Sequence, residues 1–275
     1  MIRKLVIPAV FLTGLLIFFY PIISNWLSTK DHYTVMSKHN EALQQMTEKE
    51  KAKEKEKAQK YNETLNETEI PIEDPFSEGA TETAVTGYFN VLDIGETMGS
   101  LEIPSIQVKL PIYHGVSEDV LQQGIGHMSN SSFPIGGVGT HTALTGHRGL
   151  PSSKLFRDLD KVKLNEHFFI HTLDETLAYK VNDIQVVLPS ETTWLQIDET
   201  KDYVTLITCE PYMINTHRLL VRGERVPYEE EISLNKSLDP MQKDQNRETW
   251  LLISSIVTIL GIIAFYLIRK RQIRE

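Results

Sequence analysis

The sequence predicts a mainly β domain suspended between two membrane helices, on three observations. Residues 95–228 carry short alternating runs bounded by turn-forming residues, the pattern of half-buried strands. About 130 residues can bury a core of their own, and six to eight strands of this size close into a barrel or a sandwich. Residues 5–23 and 250–268 are apolar runs of bilayer-spanning length.

Arg3 and Lys4 precede the first apolar run, and Arg269, Lys270, Arg271 and Arg274 follow the second. Basic residues collect on the cytoplasmic side, so both termini are expected there, with everything between them outside the cell. Tyr20, Trp26, Trp250 and Tyr266 fit aromatic anchors at headgroup level. A basic start followed by an apolar run also describes a cleaved signal peptide. This run is longer than a signal core and no small-x-small site closes it, which favours a retained anchor.

Residues 31–60 are rich in Glu, Lys, Gln and Ala without Gly or Pro, and predict a helix supported by pairs such as Glu56 with Lys60. Met36, Leu43 and Met46 recur at helical spacing and can pack on the domain, whereas the second half reads as a solvated stalk. Residues 61–87 dissolve into Asn, Thr, Glu, Gly and Pro, an extended exposed connection. Within it, Ile-Pro-Ile-Glu-Asp-Pro-Phe (70–76) puts Phe76 on a polar loop, and its simplest reading is an Asp-Pro turn with the ring docked on the nearest apolar surface. The strand candidates are 101–113, 140–146, 168–173, 176–188, 203–209 and 216–225. Asp174 and Glu175 suggest a tight hairpin, and 120–123 and 153–158 suggest short helical turns. The chain thus divides into an anchor (1–28), a charged helix (29–61), a linker (62–94), a β domain (95–230), a juxtamembrane linker (231–249), a second span (250–268) and a basic tail (269–275).

Formal net charge is −9 and the lysines outside the tails are interleaved with acids, which excludes nucleic acid as a partner. No glycine loop for a nucleotide and no cysteine or histidine pair with zinc spacing is present, so neither cofactor nor metal is expected.

Cys209 is the only cysteine, so it forms no internal disulfide, and in an exported domain it is either reactive or a small buried hydrophobe. The runs 205–209 and 216–221 are strand-like on either side of Pro211 and are expected to pair antiparallel, which brings Arg218 beside Cys209. A fixed cation favours thiolate, and a guanidinium can donate to an oxyanion during acyl transfer; an ordinary surface cation is the alternative. A cysteine nucleophile also needs an acid and base. His147 and His141 lie in Thr-His-Thr-Ala-Leu-Thr-Gly-His-Arg-Gly-Leu-Pro (140–151), His217 lies beside Arg218, and spacing alone leaves the three open.

Leu-Thr-Gly-His-Arg-Gly-Leu-Pro (144–151), together with Thr-Leu-Ile-Thr-Cys-Glu-Pro-Tyr-Met-Ile-Asn-Thr-His-Arg-Leu-Leu-Val-Arg-Gly (205–223), closely resembles the class C sortases, pilus-assembling transpeptidases of Gram-positive bacteria. Leu-Pro-Ile-Tyr-His-Gly (110–115) and Leu-Phe-Arg-Asp-Leu-Asp-Lys (155–161) are similar to the same family, so the resemblance spans the β domain. It implies a closed eight-stranded β-barrel with His147 as acid and base, Cys209 as nucleophile and Arg218 as substrate and oxyanion stabiliser. Asp74, Pro75 and Phe76 resemble the lid of this class, the acid near the arginine and the ring over the cysteine, and two membrane anchors fit it as well. Glu210 departs from the pattern, which more often has a small hydroxyl residue there. A carboxylate beside the thiol opposes thiolate formation unless strand alternation turns it away.

The resemblance implies cleavage of an LPxTG-like sorting signal between Thr and Gly, then transfer of the acyl group to a pilin lysine. Attachment of surface proteins to peptidoglycan is the alternative. The partners implied are pilin subunits and the membrane.

Overall fold

The computed structural model describes residues 2–67, 73–77 and 86–228. The second apolar run at 250–268, the basic tail and the whole of the predicted juxtamembrane linker lie outside these residues.

Helix α1 runs unbroken from Ile2 to Gln45, so the apolar run and the first half of the charged segment form one rod. From Val10 onward its apolar stretch is exposed, and the helix is long and apolar enough to cross a bilayer. A break at Met46 and Thr47 precedes α2 (Glu48–Glu67), which opens on a capping box. The Thr47 amide donates to Glu50 Oε2 at 2.8 Å and the Glu50 amide donates to Thr47 Oγ1 at 3.3 Å.

The expected solvated stalk is corrected here, because Ala58, Tyr61 and Leu65 of α2 are buried in the main core. Their spacing is a helical stripe that runs past Lys60, through residues read from sequence as an extended connection. Polar composition at 61–67 hid it. Tyr61 packs edge-on against Phe133 with ring centroids 4.8 Å apart, and its hydroxyl donates to the Ser129 carbonyl at 2.5 Å. Lys51 and Lys55 pair with Asp174 and Glu175. Tyr61→Ala is expected to destabilise the protein by about 3–5 kcal/mol and Tyr61→Phe by only about 1 kcal/mol. Denaturant midpoints of the full chain in detergent measure both, and equal midpoints for Tyr61→Ala and the parent would return α2 to the role of a spacer.

Eight strands close into a barrel: β1 (Gly99–Ile103), β2 (Val108–His114), β3 (Ile125–His127), β4 (Thr140–Thr145), β5 (His167–Thr172), β6 (Glu175–Val187), β7 (Asp202–Glu210) and β8 (His217–Val226). Their order around it is β1-β2-β3-β4-β7-β8-β6-β5, closed by β1 on β5. Most pairs are antiparallel, but β2–β3 and β4–β7 are parallel. The predicted strand at 101–113 is two strands, since Pro104–Ile106 form a 3-10 turn and Gln107 takes a left-handed φ of 55°. Proline supplies no amide for the ladder. The helical turn predicted at 153–158 falls instead at Leu159–Lys161, and three-residue β3 was not anticipated. The β5–β6 hairpin turns on Leu173 and Asp174, both at positive φ, one residue earlier than predicted. Helix α3 (Glu118–Gln123), N-capped by Ser117, connects β2 to β3.

Strand alternation divides the inside from the outside. Val204 and Leu206 of β7, with Leu219 and Val221 of β8, face the barrel core alongside Phe168, Ile170 and Tyr179. Ile207 and Leu220 belong to a second cluster on the outer face, covered by Leu195 and Trp194 from the segment between β6 and β7.

Candidate active site

Cys209 and Arg218 are directly opposite each other in the β7–β8 ladder. Strand β4 lies parallel to β7 on its other side with Thr145 opposite Ile207, so His147 and Cys209 each follow two residues beyond the last paired position. Parallel neighbours are about 4.8 Å apart, and both chains emerge at the same end of the barrel. His147 therefore meets Cys209 and Arg218, from a hairpin much later in the chain, at one rim.

Two contacts fix the His147 turn. Thr208 Oγ1 donates to the Gly146 carbonyl at 2.7 Å, and a Cβ at Gly146 would lie 2.7 Å from Ile125 Cδ1 and 2.9 Å from Phe156 Cδ2, so glycine is required for the close approach. His147 Nε2 lies 3.3 Å from a Glu118 carboxylate oxygen without the alignment of a hydrogen bond.

The other histidines do other work. His141 is buried, its ring nitrogens 3.0 Å from the Gln196 carbonyl and 2.8 Å from Thr205 Oγ1, and burial holds its pKa down to about 4. His217 sits opposite Glu210, one residue out of phase with Arg218, and its Nδ1 contacts Thr216 Oγ1 at 2.9 Å. His141 is thus bonded away from the rim, and strand alternation turns His217 to the face opposite Arg218.

Asp74, Pro75 and Phe76 lie over this rim. Asp74 accepts two hydrogen bonds from Arg218, 2.6 Å from Nε and 2.7 Å from Nη2, a buried bidentate pair. The Phe76 ring stacks under the Arg218 guanidinium at 5.1 Å and lies 5.8 Å from the His147 ring. It also packs on the outer apolar cluster, so docking on an apolar surface and contact with the site residues are the same placement. Ser77 closes the turn through its amide and hydroxyl, both donating to the Asp74 carbonyl.

Burial pushes the Cys209 thiol pKa up. Arg218 and Arg148 pull it down, while the Asp74 carboxylate pushes it further up. Glu210 is turned onto Arg148, with which it forms an ion pair. Arg148 was not singled out from sequence. It is buried, donates to the Cys209 carbonyl at 3.2 Å and pairs with Asp160 at 3.2 Å, tying the His147 turn to the end of β7. The signal was available in the arginine directly after His147 and the unexplained acid at Glu210.

From Val187, Leu220 and Trp194 of the outer cluster, a groove of about 600 Å³ continues along the outer face of β7 and β8 to Tyr203 and Arg222. No group of three metal-ligating side chains occurs among the described residues.

Residues 101–226 match the sortase domain family. Sortases are cysteine transpeptidases, and a lone cysteine paired with arginine on a closed eight-stranded barrel fits that class. The chain belongs to the sortase family. It is 44% identical to Streptococcus pneumoniae sortase C, covering 71% of this chain and 97% of that one at a TM-score of 0.65. Sortase C2 of pilus island 1 from group B Streptococcus is 46% identical, covering 66% and 100%, at a TM-score of 0.61. Sortase A of Listeria monocytogenes is 27% identical over 227 residues, 82% of this chain and 91% of that protein. The structural neighbours are pilus-associated class C sortases.

Proposed function

We propose that the chain is a membrane-anchored transpeptidase that polymerises pilin subunits, with both termini cytoplasmic and the barrel outside. The observation that carries the chemistry is the register that sets Cys209 against Arg218 and brings His147 to the same rim. The pilin assignment rests on identities above 40% to sortases whose descriptions name pili.

In the proposed reaction the Cys209 thiolate attacks the threonine carbonyl of an LPxTG-like signal lying in the groove along β7. Arg218 donates to the oxyanion, and His147 protonates the departing glycine amine as the C–N bond breaks, leaving a thioester. A pilin lysine amine then attacks the thioester, His147 takes its proton, and Cys209 leaves as the isopeptide bond forms. The thioester conserves the acyl group's reactivity, so no nucleotide is required. With the lid seated, Asp74 occupies the guanidinium that the oxyanion would use, so the lid must lift before acylation.

The test supplies the full chain with a sorting-signal substrate, a lysine-bearing pilin domain and a peptidoglycan-type amine together. An isopeptide to the pilin lysine is the expected product. Exclusive transfer to the peptidoglycan amine would make this a cell-wall anchoring sortase, and release of free acid alone would make it a protease.

A further inference from the structure

We propose that the active-site end of the barrel sits against the lipid bilayer, with the β7–β8 turn at Tyr212, Met213 and Ile214 inserted into the membrane surface.

The orientation follows from how α1 lies on the barrel. The Asn25 side chain accepts a hydrogen bond from the Lys154 amide at 3.1 Å, on the segment that follows His147. About two turns further along, His32 Nε2 is 2.8 Å from the Gln123 carbonyl, at the end of α3. Leu43 and His39, further still, border Gly99 and Asp174. Strands β4 and β7 end at the rim that holds His147 and Cys209, whereas the β5–β6 turn at Asp174 is at the opposite end, because β6 runs antiparallel to β8 and β8 antiparallel to β7. Helix α1 therefore runs from the active-site end to the far end, ~27 Å over the 18 residues from Asn25 to Leu43. Because α1 has no break before Gln45, its exposed apolar part projects beyond the active-site end and beyond no other. Asn25 lies two residues after the apolar run, and Lys30 reaches over the Trp26 ring at 5.8 Å, an arrangement suited to the headgroup layer.

The turn between β7 and β8 leaves the barrel at this same end. Tyr212 is 44% exposed, Met213 80% and Ile214 67%, three successive apolar side chains turned outward. The turn is held rather than loose, since the Ile214 and Asn215 amides donate to the Pro211 carbonyl at 3.1 and 3.0 Å and Arg218 Nη1 donates to the Asn215 carbonyl at 3.0 Å. The Pro211 and Asn215 carbonyls at its two ends accept these bonds while the apolar side chains between them face out. Leu188, next after the β6 residue opposite Arg218, adds an exposed apolar neighbour. A rigid apolar turn with one phenol, level with the exit of a membrane helix, matches an interfacial anchor. Seated this way, the Cys209 rim opens at the bilayer surface, where a membrane-tethered substrate would present its signal.

The proposal rests on α1 being a retained anchor and not on the proposed reaction. It is tested in the Cys209→Ala full chain, with a single cysteine introduced at Met213 or, as a control at the far end, at Val138, which is 75% exposed just before β4. Each is labelled with a small fluorophore and reconstituted in phosphatidylcholine–phosphatidylglycerol vesicles carrying a quencher on the lipid chains. Flotation first establishes that the chain is held by the vesicles. The expected result is several-fold stronger lipid quenching at 213 than at 138, with iodide in the water quenching in the reverse order. Equal lipid quenching at both positions in a floating chain would overturn membrane docking alone. Shielding at 213 that arises only on adding a sorting-signal peptide would overturn it in favour of a substrate contact. A chain that fails to float would overturn the anchor and the docking together.

Discussion

Cys209→Ala is expected to abolish pilin polymerisation while leaving the fold intact. Removing a covalent nucleophile from a preorganised site lowers turnover on the order of 10^4-fold or more. Alanine fills nearly the same space at this buried strand position, and Cys209 is bonded to no other cysteine, so denaturant midpoints are expected to match the parent. The readout is the ladder of pilin polymers formed by the full chain. Undiminished ladders would end the nucleophile assignment, and the matching midpoint keeps a loss of ladders from being mistaken for unfolding.

Opening the lid is the second large effect. Asp74→Asn removes one charge from a buried bidentate pair, and breaking such a pair costs about 3 kcal/mol. Since about 1.4 kcal/mol is a factor of ten, the open population is expected to rise by up to ~100-fold, and with it the rate at which a small thiol reagent alkylates Cys209. Phe76→Ala is expected to raise the same rate by removing the ring packed on the outer cluster. The pH dependence separates the two variants. The Asp74 carboxylate raises the thiol pKa, so its removal lowers that pKa, and the alkylation profile of Asp74→Asn shifts toward lower pH. Phe76→Ala retains the carboxylate and shifts the profile less. Equal rates in both variants and the parent would remove the lid from the account.

Much of this architecture was legible because it is written in local patterns. The period-two runs at 140–146, 203–209 and 216–225 match β4, β7 and β8 within two residues, and the Pro211 break correctly implied that Cys209 faces Arg218. The choice among histidines was not local. His147 and Cys209 come together through a parallel β4–β7 pairing across more than fifty intervening residues, which spacing does not encode. The resemblance to sortases implied His147, and the register brings that residue to the rim where Cys209 lies. The packing of α2 was missed because its apolar stripe straddles Lys60, where composition turns polar, and β3 is too short to carry a period. Arg148 was missed because its partners, the Cys209 carbonyl, Glu210 and Asp160, are adjacent only in the folded chain.

The most direct test of the proposed site is the intact mass of the full chain mixed with an LPxTG-like peptide in the absence of any acceptor amine. The expected result is an added mass equal to the peptide up to its threonine, located at Cys209, removable by hydroxylamine and accompanied by release of the glycine-led fragment. Release of that fragment with the acyl group found elsewhere, or with Cys209→Ala releasing it equally fast, would contradict it.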